Sequence, residues 1–375
     1  MSLFEARAEA LRTNRRNLAE TLHLDAPLLI CLIALSVVSL FVLYSASGQN
    51  IDIVWRQVVR LSVAFLIMLA LAQVNPATLK RWTPWFFGLG IGLLLAVLFF
   101  GETGKGAQRW LDLGLFRFQP SEMMKLSVPM MVAWYLSDHP LPPSLKRLFM
   151  ACLIIMIPTL LIAKQPDLGT ALLIAGAGIF VLLFSGISWR LILISGTILT
   201  ASAPVLWHFM RDYQRQRVLT FLNPEQSPLG AGYHIIQSKI AIGSGGLYGK
   251  GWLNGTQSQL NFLPERSTDF IFAAYAEEFG LFGILALLVA YLLIIMRGLL
   301  IANQAQDTYT RLLGGGLVMT FFIYIFVNIG MVTGLLPVVG VPLPLISYGG
   351  TSMVTLMASF GILMSIHTHR KLLPR

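Results

Sequence analysis

Runs of about 20 apolar residues recur along the whole of this 375-residue chain, separated by polar segments. Each run is long enough to cross the hydrocarbon core of a bilayer, about 30 Å thick, as a helix. Hydrophobic residues make up 56% of the chain and charged residues only 12%, which excludes a soluble globular protein. The strict alternation typical of membrane β-barrel strands is absent from the sequence. We therefore predict an all-α polytopic membrane protein.

Ten of these apolar segments are predicted to cross the membrane. They lie near residues 26–45, 54–73, 85–100, 120–136, 148–163, 169–186, 191–209, 270–297, 312–333 and 347–366. Residues 1–25 are predicted to form a cytoplasmic leader, residues 26–366 the membrane domain and residues 367–375 a cytoplasmic tail. The stretch 210–269, between the seventh and eighth segments, is predicted to be a large loop on the outer side.

The positions of lysine and arginine predict the orientation of the chain. With the N-terminus in the cytoplasm, the short inner loops receive cations such as Lys80, Arg81, Lys146 and Arg147, as the positive-inside rule requires. An even number of spans then returns the C-terminus to the cytoplasm. The remaining cations gather on the outer side, where they face either an anionic ligand or lipid headgroups and nearby carboxylates. This distribution explains the net charge of +10 without a nucleic-acid partner.

The stretch 232–270 is rich in glycine, amides and cations, and its last charged residue, Asp269, stands where the next apolar run begins. Its glycine run, residues 243–251, is neither a P-loop nor a dinucleotide-binding turn, because Ser244 and Tyr248 occupy positions that require glycine. The run is either a tight turn or a backbone nest for a phosphate. Asp269 is either part of a helix cap or a carboxylate base at the membrane surface.

Other ionisable residues fall within or beside the predicted spans. Glu122 and Lys125 are three residues apart and share a helix face, either as a simple ion pair or as part of a site that includes Arg109. Glu277 and Glu278 lie inside the eighth span, where structural pairing is favoured over an ion or proton route. His367 and His369 are interpreted as a cytoplasmic interface and not as a metal site.

Four segments carry a resemblance to a known family. They are Gln-Pro-Ser-Glu at 119–122, Gln-Pro-Asp-Leu-Gly-Thr-Ala at 165–171, the stretch 232–270 and the segment 328–351. Together they closely resemble the SEDS family (shape, elongation, division and sporulation; FtsW/RodA/SpoVE). The resemblance implies ten transmembrane helices with a large extracytoplasmic loop between helices 7 and 8. It also implies a peptidoglycan glycosyltransferase that polymerises lipid II into glycan strands during cell elongation and rod-shape maintenance.

The resemblance further implies roles for individual residues. Asp269 matches the essential aspartate of the family and is expected to be the catalytic base for the acceptor hydroxyl. Glu122 and Lys125 match its functional glutamate and lysine. The predicted substrate-binding residues are Glu122, Lys125, Arg109, Lys239, Gln237 and Ser347, of which Arg109, Lys125 and Lys239 would stabilise a departing diphosphate. The sequence contains no metal-ligand cluster, although Mg²⁺ or Mn²⁺ beside the diphosphate remains compatible with it.

The partners and location that the resemblance implies complete the prediction. The substrates would be lipid II and glycan linked to undecaprenyl pyrophosphate. The protein partners would be a class B penicillin-binding protein (penicillin-binding protein 2) and the elongation proteins MreB, MreC and MreD. The location would be the bacterial inner membrane, with both termini cytoplasmic and the active site periplasmic. Two alternatives remain open from the sequence, a lipid II flippase and a non-catalytic scaffold of the elongation machinery.

Overall fold

The computed structural model describes residues 23–104, 107–112, 117–210, 212–224, 231–260, 262–263 and 265–369. Its helices are α1 (Ala26–Ala46), α2 (Ile51–Ala72), α3 (Pro76–Phe100), α4 (Pro120–Ser137), α5 (Leu145–Lys164), α6 (Leu168–Phe184), α7 (Trp189–Ala201), α8 (Ala203–Phe209), α9 (Asp212–Leu222), α10 (Ala231–Ser244), α11 (Thr256–Gln259), α12 (Ile271–Asn303), α13 (Thr308–Thr333) and α14 (Thr351–Thr368). Most of the predicted leader and residues 370–375 of the predicted tail lie outside the described residues.

Helices α9, α10 and α11, inside the predicted loop 210–269, were not predicted from the sequence, and neither was a small antiparallel sheet. It consists of β1 (Glu102–Gly104), β2 (Ala107–Asp112) and β3 (Arg117–Phe118), in the order β1-β2-β3. The strands are short and follow directly after α3, so no sustained period-2 pattern marks them in the sequence. The sheet connects the end of α3 to the start of α4, and Arg109 lies on its middle strand.

The predicted apolar segments all coincide with helices, but several differ in extent; α12, for example, ends at Asn303 and not near residue 297. The third helix begins at Pro76 instead of near residue 85, because its first turns carry Lys80 and Arg81 and are not apolar. The seventh segment is divided into α7 and α8 at Ser202, just before Pro204. Within the described ranges, seven helices are long and apolar enough to cross a membrane: α1, α2, α3, α5, α12, α13 and α14. The all-α polytopic fold is confirmed, while the number of ten crossings stays a prediction.

Side chains at the helix starts explain several of these boundaries. Asp25, Asn50 and Asn75 precede α1, α2 and α3, and each side chain accepts a hydrogen bond from a backbone N–H of the first turn. Such caps satisfy donors that have no partner within the helix. At the other end of α13, Gly334 adopts a left-handed conformation with φ of 75° and terminates the helix.

Helix α13 forms the centre of the bundle and packs against α4, α6, α12 and α14. Its glycine triplet, Gly314–Gly316, allows neighbouring helices to approach closely. A Cβ atom at Gly316 would lie 2.4 Å from Val181 of α6, and one at Gly315 would lie 2.8 Å from Phe184. Small residues at helix contacts are the usual means of close packing in membranes, where apolar surface gains little by leaving lipid.

The glycine run at 243–251 packs against a break in α12. Gly280 has φ of 62° and ψ of −161°, so the carbonyl oxygens of Glu277 and Glu278 lose their helical partners. The backbone N–H groups of Lys250 and Gly251 donate to these two oxygens at 3.0 Å each. In return, Leu281 donates to the carbonyl of Gly246 at 2.9 Å. The N–H groups of Lys250 and Gly251 are therefore used to pack the run against α12, which favours the tight-turn interpretation.

Replacing Gly249 with alanine is expected to destabilise the protein by about 2–3 kcal/mol, since a Cβ at this left-handed position would clash with α12. That atom would lie 2.1 Å from the carbonyl oxygen of Glu278. The matched control is Gly92→Ala in α3, where no atom lies within 4 Å of the added Cβ. Thermal unfolding in detergent should show a lower Tm for the first variant only. An equal Tm for both would contradict the described packing.

The ends of α1, α12 and α14 that lie furthest from Asp269 are joined by a buried ion pair. The Asp25 carboxylate, 1% exposed, lies 2.5 Å from Nη2 of Arg297 and 3.3 Å from Nε2 of His367. His369 stacks on His23 with ring centroids 4.2 Å apart. The two C-terminal histidines therefore contact the first described residues of the chain, and their role in a cytoplasmic interface stays a prediction.

The ion pair predicts how stability depends on pH. Burial raises the pKa of Asp25, but hydrogen bonds from Arg297 and from the N–H of Leu28 outweigh it, so the pKa lies below its usual value. The stabilisation is therefore complete above the ordinary pKa of about 4 and is lost as the pH falls through the lowered value. Asp25→Asn should lower Tm at pH 7, with a difference that shrinks towards pH 3. An equal difference in Tm at both pH values would contradict this role of the ion pair.

Candidate functional site

Asp269 lies at the junction between the outer segment and α12, and its main chain is held from three directions. The N–H of Tyr348 donates to the carbonyl of Ser267 at 2.8 Å, and the hydroxyl of Ser347 donates to that of Thr268 at 2.6 Å. Nδ2 of Asn328 donates to the carbonyl oxygen of Asp269 at 2.8 Å. These bonds fix the backbone that carries the half-buried carboxylate.

Asp269 does not occupy the N-cap position of α12. The residue there is Phe270, whose side chain forms no capping hydrogen bond. The hydroxyl of Ser267 donates to the carbonyl of Ala46, and that of Thr268 donates to Glu265. The Asp269 side chain lies against Gly340, where a Cβ atom would be 3.4 Å from Oδ2. The base interpretation of Asp269 stays a prediction.

Glu122 and Lys125 form a buried ion pair in the first turns of α4. Oε1 of Glu122 lies 2.5 Å from Nζ of Lys125, and the side chains are 9% and 5% exposed. The ammonium group also lies 4.9 Å from the ring centre of Tyr324 on α13. Tyr324 and Asn328 are one helical turn apart, about 6 Å along the axis. The ion pair and the Asp269 backbone therefore contact adjacent turns of the same helix.

Arg109 contacts the 165–171 segment, which packs near Asp269. Its Nη2 donates to the carbonyl of Pro166 at 2.6 Å, and its Nε lies 3.6 Å from Oδ2 of Asp167. Asp167 also accepts a hydrogen bond from Nε2 of Gln119 at 3.3 Å. A Cβ at Gly169 would lie 2.8 Å from the carbonyl oxygen of Val339, so this segment packs directly against the loop that faces Asp269.

The remaining predicted substrate-binding residues lie in different surroundings. The Ser347 hydroxyl is buried; it donates to Thr268 and accepts from the N–H of Leu343 at 2.8 Å. Lys239 is exposed on α10, and its side chain lies against Gly334. A Cβ atom at Gly334 would lie 2.8 Å from Nζ of Lys239. Its charge thus lies at the C-terminal end of α13, which is favourable for a cation. Gln237 is half-buried on α10. Their substrate contacts stay predictions.

Two residues that position the site were not assigned a role from the sequence. Asn328 is fully buried, and its Nδ2 donates both to Asp269 and to the carbonyl of Val341 at 2.7 Å. Asp167 joins Arg109, Gln119 and the start of α6. An amide inside an apolar run is a usable signal, because a buried polar group is costly unless it forms hydrogen bonds. Among the described residues, no group of three or more metal-ligating side chains is found, and Mg²⁺ or Mn²⁺ stays a prediction.

Comparison with known proteins identifies the family. The family model for FtsW, RodA and SpoVE, described as "Cell cycle protein", matches residues 22–372. The chain belongs to this family. The peptidoglycan glycosyltransferase MrdB of Escherichia coli K12 is 57% identical over 96% of this chain and 98% of its own length. MrdB of Helicobacter pylori strain 26695 is 35% identical over 93% of this chain and 91% of its own.

Solved structures of family members have the same fold. A structure of a peptidoglycan synthase complex, described as coordinating polymerization and crosslinking, matches with a TM-score of 0.81 and 32% identity. It covers 93% of this chain and 98% of that one. The rod shape determining protein RodA of Thermus thermophilus matches with a TM-score of 0.70 and 27% identity, over 92% and 98% of the two chains. Family membership and the polytopic membrane fold are thus confirmed, and the names of these relatives agree with the predicted activity.

Proposed function

We propose that this protein is a peptidoglycan glycosyltransferase that polymerises lipid II into glycan strands during cell elongation. The observation that carries the proposal is the placement of Asp269. Segment 267–269 is bound by the end of α1, by Asn328 of α13 and by Ser347, and the Asp269 carboxylate lies against Gly340. Arg109 contacts the 165–171 segment, which packs against Val339, and Lys125 lies over Tyr324 of α13. A carboxylate on a fixed backbone, with cations on neighbouring elements, suits a reaction that removes a proton and releases an anion.

In the proposed reaction, the 4-hydroxyl of the GlcNAc unit of lipid II attacks the anomeric carbon of the growing glycan. The new C–O bond forms as the bond to the undecaprenyl diphosphate breaks, which inverts the sugar. Asp269 accepts the hydroxyl proton. Arg109, Lys125 and Lys239 stabilise the charge that develops on the departing diphosphate. Glu122 supports this role by positioning the Lys125 side chain, since its Oε1 lies 2.5 Å from Nζ.

The proposed topology has ten crossings, cytoplasmic termini and a periplasmic Asp269. Asp269 lies at the same end as Ala46 and Gly48, since Ser267 contacts the first and Arg266 lies beside the second. The opposite end carries Asp25 and the inner cations, including Lys80, which lies 2.7 Å from Asp138. This distribution of basic residues supports a cytoplasmic location for that end in the inner membrane.

The match to a synthase complex supports a crosslinking partner for this chain. A class B enzyme, penicillin-binding protein 2, is the proposed partner, because a polymerase and a crosslinking enzyme act on the same strand. MreB, MreC and MreD stay predictions as further members of the machinery. A purified 1:1 mixture with penicillin-binding protein 2 should elute as one complex, and its polymerase activity should exceed that of the separate chain.

Polymerisation of labelled lipid II by purified protein in detergent tests the function. A polymerase converts lipid II into long glycan on a gel although no membrane separates two compartments. A flippase or a scaffold produces no glycan under these conditions, even with the penicillin-binding protein present. Heat-denatured protein is the control for a contaminating polymerase in the substrate preparation. Absence of glycan with correctly folded complex would reject the proposed activity.

A further inference from the structure

Two arginines of α2 lie within the membrane-spanning part of the chain and have no assigned function. Arg56 and Arg60 are one turn apart on the same face, about 8 and 14 Å along the axis from the start of α2 at Ile51. Arg56 is exposed and Arg60 is half-buried. Ionisable groups at this depth are costly and usually mark a binding site or pathway.

Neither arginine has an anionic partner within the described part of the chain. No carboxylate lies within 4.0 Å of either guanidinium there, and Asp52, one turn before Arg56, forms no ion pair with it. The guanidinium of Arg60 stacks on Tyr348, with Cζ 4.3 Å from the ring centre. Stacking leaves the edge of a guanidinium free to donate to oxygen atoms, which is how arginine binds phosphate.

A third source of positive potential lies beside Arg60. A Cβ at Gly350, the N-cap residue of α14, would lie 3.7 Å from Nε of Arg60. No side chain caps this 18-residue helix. A helix N-terminus carries partial positive charge, so placing a guanidinium there is unfavourable unless an anion binds between them. The two arginines and the helix end together favour the binding of an anion from outside the chain.

The position of these groups relative to Asp269 points to the kind of anion. Tyr348, on which Arg60 stacks, donates its N–H to Ser267, two residues before Asp269. Gln57, between the two arginines in sequence, donates from Nε2 to the carbonyl of Ser347 at 3.3 Å. The arginine pair is thus connected to the Asp269 segment through Tyr348 and Ser347. Lys125 is connected to that segment separately, through α13, which carries Tyr324 and Asn328.

We propose that Arg56, Arg60 and the N-terminus of α14 bind the phosphate or diphosphate group of a lipid in the outer leaflet. If the proposed function holds, on which this identification rests, the lipid is the acceptor lipid II. The reaction brings together two lipid-linked sugars, each with its own diphosphate, but only the donor diphosphate departs. Arg109 and Lys125 would serve the departing group, and the α2 pair would hold the acceptor. The phosphate of a bulk phospholipid headgroup is the alternative ligand with the same anionic group.

The test compares Arg56→Gln/Arg60→Gln with the control Arg190→Gln, which removes an exposed arginine from α7. Full-length protein carrying Asp269→Asn, to prevent turnover, is titrated with lipid II and separately with phosphatidylglycerol, and bound lipid is measured by native mass spectrometry. The double variant should bind lipid II about tenfold or more weakly, since two charge-assisted contacts are lost. Arg60→Lys should give a smaller loss, and the control should bind like the parent.

Each outcome of this titration is informative. Weaker lipid II binding supports the site with the substrate as its source, and a loss restricted to phosphatidylglycerol supports it with a phospholipid headgroup as the source. Unchanged binding of both lipids, by a double variant with the parental Tm, would overturn the proposal. If the parent protein binds no lipid II at all, the proposed function fails, and the phosphatidylglycerol titration still decides on the phosphate site. In the Asp269-containing enzyme, the double variant should raise KM for lipid II with little change in kcat.

Discussion

Replacing Asp269 with asparagine is expected to slow lipid II polymerisation by about 10²- to 10⁴-fold, because the amide cannot accept the hydroxyl proton. Asparagine has nearly the same size as aspartate, and the bond that fixes this residue uses its backbone carbonyl, which the substitution leaves in place. The fold should therefore persist. The rate is measured with purified protein and labelled lipid II in detergent, together with Tm and binding of the penicillin-binding protein.

Asp138→Asn is the matched control for this substitution. Asp138 is an exposed carboxylate at the opposite end of the molecule, where it pairs with Lys80. This variant should polymerise lipid II at the rate of the parent. Polymerisation by Asp269→Asn at the rate of the control would remove the base from the proposed mechanism. A loss of activity accompanied by a much lower Tm would instead indicate that Asp269 has a structural role.

The sequence predicts the helices well because lipid imposes a strong constraint on composition. Backbone groups in a bilayer must be satisfied within the segment, so an apolar run of sufficient length becomes a helix. The failures occur where this constraint is weak. The first turns of α3 carry Lys80 and Arg81 and lack the apolar signal, and the sheet of β1, β2 and β3 depends on contacts between short segments that no local pattern reveals.

The candidate site was predicted residue by residue only where the family motif names the residue. Sequence alone left Asp269 between a cap and a base, because both roles suit a carboxylate before an apolar run. The structure places Phe270 and not Asp269 at the N-cap of α12, and the base role stays a prediction. Sequence alone also left residues 243–251 between a turn and a phosphate nest. That choice depended on the break at Gly280, which lies about 30 residues away and whose carbonyls take up the N–H groups of Lys250 and Gly251.

Replacing Lys125 with methionine is expected to lower the free energy of unfolding by about 3–5 kcal/mol, because Glu122 is left buried without its counter-charge. The Glu122 side chain is only 9% exposed, and its Oε2 has no hydrogen-bond partner. Lys125 is therefore the group that compensates the buried negative charge of Glu122. The control is Lys80→Met, which breaks the exposed pair with Asp138 and should cost no more than about 1 kcal/mol. Thermal unfolding in detergent measures both.

The double variant Glu122→Gln/Lys125→Met separates stability from catalysis. It removes both charges at once, so most of the stability lost in Lys125→Met should return, as is usual when a buried ion pair is replaced as a unit. Its polymerase activity should nevertheless remain at least about tenfold below that of the parent, because the cation that stabilises the departing diphosphate is still missing. Full activity in this stable variant would show that the pair supports only the packing of α4 against α13, and Arg109 and Lys239 would then be the remaining candidates for binding the diphosphate.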